Sequence, residues 1–333
     1  MRHRVWSETI PLAQLCTGAA LPLVAAHNLD LIAAVRPWEL DLVPTLLEAA
    51  ARLGIRPALW PMLDDAEGRW LSVVNVPRFA RFVDALLDRA GPHGLHEIAL
   101  DLEPPFGLVA AATGSAAGSW QRLFAQPQRH APAGTAWPWS APWSTARAAI
   151  RALVTSVQSR GVAVSAAVIP LVLLDPPDGP GAWQRVLGTP VDGVPFDRVN
   201  VMLYTSLFEG WSRGALRRRD ALALLADGCR LARDRYGARA SVSLGAVGVG
   251  ALGNEPVYRG PHELAEEVAL AHTLGIRDLS LFDLGGVLSR GPAEAWAQAF
   301  TAPFSPVAPP PSRRSSFLRS IGQAAGRAWK GDL

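Results

Sequence analysis

Eight short apolar segments recur along the chain, each separated from the next by a stretch with helical periodicity. They are 4–10, 29–37, 56–63, 97–103, 162–170, 198–204, 240–249 and 278–284, each bounded by Gly, Pro or polar residues. Helical spacing follows in 40–53, 77–90, 143–159, 218–235 and 261–274. In the second of these Phe79, Phe82, Val83, Leu86 and Leu87 recur at intervals of three and four. A further helix near 12–27 is less regular. Gly54, Gly161, Gly237 and Gly275 stand at helix ends just before a strand, where a left-handed cap suits glycine. Eight strands alternating with helices predict an α/β chain folded as a (β/α)8 TIM barrel. The competing architecture is a doubly wound open sheet. Its dinucleotide form needs a G-x-G-x-x-G between strand and helix, and Gly245, Gly248 and Gly250 fit that spacing poorly.

Two segments fall outside the alternation. Residues 104–141 make a long loop after the fourth strand, carrying Trp120, Trp137 and Trp139, and long connections are often functional. Residues 303–333 begin Pro-rich and end basic, so the expected organisation is a barrel over 1–302 and a linker and tail over 303–333. The net charge of +3 comes from that tail, where Arg313, Arg314, Arg319, Arg327 and Lys330 face only Asp332. The body therefore carries no nucleic-acid footprint. The tail could form a basic helix with Phe317, Leu318, Ile321 and Trp329 on a loose apolar side, for which the alternatives are membrane-surface contact, packing on the barrel, or disorder. Cys16 and Cys229 read as buried thiols. The seven histidines show no paired ligand spacing, so neither metal nor other cofactor is expected. No signal-peptide pattern or run of eighteen apolar residues stands in the chain as given, which predicts a cytoplasmic protein, or a secreted one if a leader was trimmed.

The fourth strand, EIALDLE, poses the chemical question. Alternation places Ala99, Asp101 and Glu103 on one face and Ile98, Leu100 and Leu102 on the other. The apolar set belongs against the helices, so the acids point into the barrel mouth, at the rim where barrel enzymes carry their chemistry. Two carboxyls in a desolvated site do not both ionise easily, and one keeps a proton. An acid beside a charge is what glycosidic cleavage requires; the structural alternative is a pair neutralised by Arg or Lys. On the sixth strand Asn200, Met202 and Tyr204 share the inward face. Other rim candidates are Glu8 after the first strand, Arg36, Trp38 and Glu39 after the second, and Trp60, Asp64 and Asp65 at the third. Asn254 and Glu255, in GNEP, read as turn residues. Twelve Trp against three Tyr suit a carbohydrate site, because indoles stack on the apolar faces of sugars.

LDLE on the fourth strand with MLY on the sixth resembles the chitinase-like, family 18 glycoside hydrolases, whose fourth strand ends D-x-x-D-x-D-x-E and whose sixth carries M-x-Y-D. The resemblance implies a retaining, substrate-assisted glycosidase acting on an amino-sugar-containing glycan. Glu103 would be the proton donor, Asp101 would orient the 2-acetamido group, and Tyr204 would hydrogen-bond it. Phe282 stands where such enzymes often have a Trp flooring the sugar site. Trp38, Trp60, Asp65, Met202, Trp137, Trp139, Arg36 and Glu8 complete the expected substrate contacts. The sequence departs from the pattern at His96 and Ala99, which replace the first two aspartates, and at Thr205 after the tyrosine. A different glycosidase mechanism, with Asp65 or Glu8 as the second carboxylate, stays open, and so do two other functions: a non-catalytic carbohydrate-binding barrel, and a metal-dependent sugar isomerase or lyase.

Overall fold

A computed structural model describes residues 1–91, 93–113, 142–177, 179 and 181–328. Eight parallel strands close into one barrel: β1 (Arg2–Ser7), β2 (Asp30–Val35), β3 (Pro57–Pro61), β4 (Glu97–Leu102), β5 (Ala163–Val168), β6 (Arg198–Met202), β7 (Ala240–Gly245) and β8 (Asp278–Phe282). Each strand pairs with the next in sequence, and β8 closes on β1 with Arg4 opposite Ser280. This is the (β/α)8 TIM barrel read from the sequence, not the open sheet. The helices are α1 (Leu12–Thr17), α2 (Ala20–Ala26), α3 (Val43–Arg52), α4 (Val76–Ala90), α5 (Phe106–Thr113), α6 (Trp143–Ser159), α7 (Ala182–Leu187), α8 (Thr205–Trp211), α9 (Arg218–Tyr236), α10 (Pro261–Thr273), α11 (Leu284–Ser289), α12 (Ala293–Thr301) and α13 (Arg313–Ala328).

Gly54, Gly161, Gly237 and Gly275 all have positive φ, as their places before β3, β5, β7 and β8 require. The irregular stretch near 12–27 is two short helices. The connection after β4 begins with α5; FGLVAAAT is apolar on every side and gives no helical stripe to read. Trp137 and Trp139 lie outside the described residues, so their expected contacts have no structural counterpart here. Among the described residues, no helix is long and apolar enough to cross a membrane.

The barrel interior is layered. At the N-terminal end, buried Arg4 donates from Nη1 to Glu97 Oε1 (2.9 Å) and from Nε to Asp278 Oδ1 (2.9 Å), while Arg198 Nη1 reaches Glu97 Oε2 at 2.7 Å. These cations outweigh the cost of burial and hold the Glu97 carboxyl below its ordinary range. Above this layer the indoles of Trp6 and Trp60 meet edge to face, centroids 4.8 Å apart. Ala58, Ala99 and Ala167 leave them room. Trp6 Nε1 and Asn200 Nδ2 both donate to Ser280 Oγ, at 2.9 and 2.7 Å. The floor beneath the mouth is thus filled, and any ligand must sit above it.

Candidate active site

The same alternation that buries Arg4 and Trp6 carries Glu8 to the top of β1. On β4 it carries Asp101 and Glu103 above Ala99, and on β6 it carries Tyr204 above Asn200 and Met202. These side chains line one cavity of about 720 Å3 together with Trp6, Trp60, Trp70, Glu255 and Phe282. Tyr204 stacks on Phe282 with centroids 5.5 Å apart, and its hydroxyl lies 3.2 Å from Ser243 Oγ.

The cup is acidic. Burial is the main force raising the Glu103 carboxyl to about 8, with the charges of Glu8 and Glu255 adding to it and Arg69 opposing. Asp101 is pushed well up by burial, then by Glu103 and Glu8. Glu8 is raised to about 7, chiefly by burial, with Arg69 again opposing. Asp101 Oδ1 is buried without a hydrogen-bond partner among the described residues. Ala99, directly below on the same face, has no polar group to offer it. Burial also raises the Tyr204 hydroxyl well above its usual range, which keeps it a hydrogen-bond donor.

Among the described residues, Arg69 is the cation that opposes all three raised carboxyls of the cup. It donates from Nη1 to Glu8 Oε1 (3.0 Å), grips Asp65 through Nε (2.8 Å) and Nη2 (3.0 Å), and lies 4.5 Å from the Phe106 ring centroid. Arg69→Met is expected to cost about 3 kcal/mol of stability at pH 8, where Glu8 is ionised and would be left unpaired. The loss shrinks at pH 5, because the Glu8 proton is then bound in either variant. Urea denaturation at the two pH values measures the difference.

Of the residues singled out from sequence, Glu8, Trp60, Asp101, Glu103, Met202, Tyr204 and Phe282 meet at this cavity. Three others sit elsewhere. Trp38 projects from the turn after β2 at 67% exposure. Arg36 Nη1 donates to Leu63 O at 2.5 Å, and Asp65 is held by Arg69. None of these lines the cavity. Glu39 accepts from Arg36 N and Leu12 N, a helix-end role. Glu255 does act in its turn, accepting from Leu252 N at 2.9 Å, but it also reaches the cup. A Cβ on Gly250 would stand 2.9 Å from Phe282 Cζ and 3.0 Å from both Glu255 Oε1 and Glu8 Oε2, so a larger residue there would press on all three side chains. Trp6 shares the inward parity of Glu8 and was legible by that rule. Arg69 and Trp70, on the turn after β3, carry no such signal. Thr205 turns away from the cup: its hydroxyl bonds Glu267 and accepts from Arg218 Nη1 at 2.9 Å. Among the described residues, no group of three His, Cys, Asp or Glu is placed to hold a metal ion.

No family model matches the chain, and no curated protein matches its sequence. Solved structures do resemble it. The PgaB (BpsB) glycoside hydrolase domain from Bordetella bronchiseptica superposes with a TM-score of 0.51 at 12% identity, over 91% of this chain and 99% of that one. A class V chitinase from Nicotiana tobaccum gives 0.48 at 13%, over 91% and 99%. A 3-keto-D-glucoside 4-epimerase from E. coli gives 0.48 at 9%, over 90% and 97%. The neighbours thus span hydrolases and an epimerase, and at these identities the likeness shows the barrel and no more.

Proposed function

We propose that the chain is a glycoside hydrolase acting on an amino-sugar-containing glycan or oligosaccharide. The observation that carries this reading is a pair of carboxyls at the C-terminal rim, Asp101 buried and Glu103 half-buried, with the Glu103 carboxyl raised to about 8 beside stacked aromatic rings. Glu103 donates its proton to the glycosidic oxygen as the bond to the anomeric carbon breaks. The carbonyl oxygen of the 2-acetamido group attacks that carbon and forms a cyclic oxazolinium ion. Once the pair has lost one proton, Asp101 as the carboxylate accepts from the acetamido N–H and balances its developing charge. The Tyr204 hydroxyl donates to the acetamido oxygen. Water then adds at the anomeric carbon and returns its proton to Glu103, so the configuration is retained. The catalytic groups belong to the barrel of residues 1–302, with residues 303–333 as an appended segment.

Paired aryl β-glycosides test this. The N-acetylglucosaminide should be cleaved at least about a hundredfold faster than the glucoside, which lacks the internal nucleophile. Equal rates would defeat the assisted mechanism. Binding of carbohydrate without turnover is the second reading, favoured by Ala99 and Thr205: neither supplies a carboxyl to the cup. Saturable binding of an N-acetylglucosamine oligomer with no product released would select it.

A further inference from the structure

We infer that the substrate carries an alkyl or acyl chain, held in an apolar channel that runs from the carboxyl cup to α13. This deepens the glycosidase reading and rests on it for the sugar end. The cavity lined by Asp101, Glu103 and Tyr204 is also lined by Ile169, Phe208, Trp211, Leu318, Ile321 and Ala325. Beyond Tyr204 its walls are mostly carbon. The polar side chains along it satisfy one another or the backbone. Arg319 Nη1 lies 3.3 Å from Asp227 Oδ1, Ser315 Oγ donates to Asp227 Oδ2 at 3.0 Å, and Ser212 Oγ donates to Glu209 O at 2.8 Å. A second sugar placed there would leave its hydroxyls unpaired, at a cost of about 1–3 kcal/mol for each buried group. A hydrocarbon chain loses nothing there and sheds water.

The far wall is built. α13 has glycine at 322 in its interior, which weakens a helix by about 1 kcal/mol relative to alanine. Gly322 is where the helix meets the 3-10 turn Pro170–Leu174. A Cβ there would stand 2.4 Å from Leu174 Cδ1, and the Gly322 carbonyl accepts from Trp183 Nε1 at 3.0 Å. The helix is clamped on both sides, to Trp183 and through Asp227 to α9. Leu318 and Ile321 then stand half in the channel and half in solvent, at 42% and 50% exposure. Trp211 at 37% completes this outer rim. An apolar rim around an apolar channel is an unfavourable surface for a purely hydrophilic ligand. Because the channel opens from the cup, its occupant is the aglycone, attached at the oxygen that Glu103 protonates.

The test compares methyl and n-octyl β-N-acetylglucosaminide, the octyl compound kept below its micelle concentration. A hexadecyl glycoside in phosphatidylcholine vesicles serves as a third substrate. The wild-type protein should cleave the octyl glycoside with kcat/KM about thirtyfold or more above the methyl one. In Leu318→Asp and Ile321→Asp, both at half-exposed positions, that ratio should fall at least about tenfold. Equal kcat/KM for methyl and octyl in wild type overturns the channel and leaves the hydrolase reading standing. If neither is cleaved, the hydrolase reading fails, and calorimetry decides the channel. A Kd for the octyl glycoside about thirtyfold below that of the methyl one, lost in Ile321→Asp, supports it; equal Kd values overturn it. A further gain with the vesicle substrate points to a membrane source for the chain, and slower cleavage there to a soluble one. Both rankings support the channel, provided the octyl preference holds.

Discussion

Glu103→Gln is expected to lower kcat on a cleavable N-acetylglucosaminide by about 10²–10⁴-fold, with KM little changed. Glutamine keeps the shape of the side chain and its hydrogen-bonding reach but has no acidic proton for the leaving oxygen. An activated aryl glycoside, whose leaving group needs little protonation, should lose less than an alkyl one. Equal losses on the two would point to a collapsed site instead of a missing acid. Folding gives the independent control. A carboxyl whose folded-state value is raised to about 8 binds its proton more tightly when folded. Between about pH 4.5 and 8 the unfolded chain has released this proton and the folded one has not, so Glu103 makes stability fall as pH rises through that window. Glutamine removes that slope. The melting temperature of Glu103→Gln minus that of wild type should therefore grow from pH 4.5 to 8 and level off above it. A variant that is inactive and also less stable at pH 8 would sink the assignment of Glu103 as a buried, protonated acid.

The barrel was legible because its strands are buried on both faces and their side chains alternate strictly. Asp101 and Glu103 could be placed in the cup, and Leu100 and Leu102 behind it, from spacing alone. The same rule applied to β1 gives Arg4, Trp6 and Glu8, and so the floor, the indole layer and the rim of the site. What spacing cannot show is anything contributed by a turn. Arg69 owes its place to the turn between β3 and α4, and only its geometry reveals it bridging Glu8 and Asp65. Glu255 meets Glu8 only across Gly250. Trp38 illustrates the converse: a tryptophan next to a strand end looks like a platform in sequence, yet the short 3-10 turn Pro37–Leu42 swings it outward. The departures at Ala99 and Thr205 also acquire causes. Ala99 is small because the Trp6 and Trp60 indoles fill the layer around it, and Thr205 ties α8 to Glu267 and Arg218.

Asp101→Asn is expected to change the pH profile as well as the rate, because Asp101 and Glu103 share one desolvated site and titrate as a unit. In wild type the active form has Glu103 protonated and Asp101 ionised. The first proton lost by the pair sets the acid limb of kcat/KM. The second, held more tightly because one negative charge is already present, sets the basic limb. Asparagine leaves a single titration, that of Glu103 without a charged neighbour on its own strand. The pair's acid inflection should vanish, and the basic limb should move to lower pH. Burial and the remaining charges of Glu8 and Glu255 still hold Glu103 above an ordinary glutamate. Turnover should also fall, by about 10²–10³-fold, since the oxazolinium nitrogen loses its counter-charge. The unpartnered Asp101 Oδ1 makes the comparison informative. With no hydrogen bond among the described residues to break, the substitution removes charge and little else. A full kcat/KM profile from pH 4 to 10 reads both effects. A basic limb that stays where wild type has it would mean that the two carboxyls do not sense each other, and the paired-acid mechanism would fail with it.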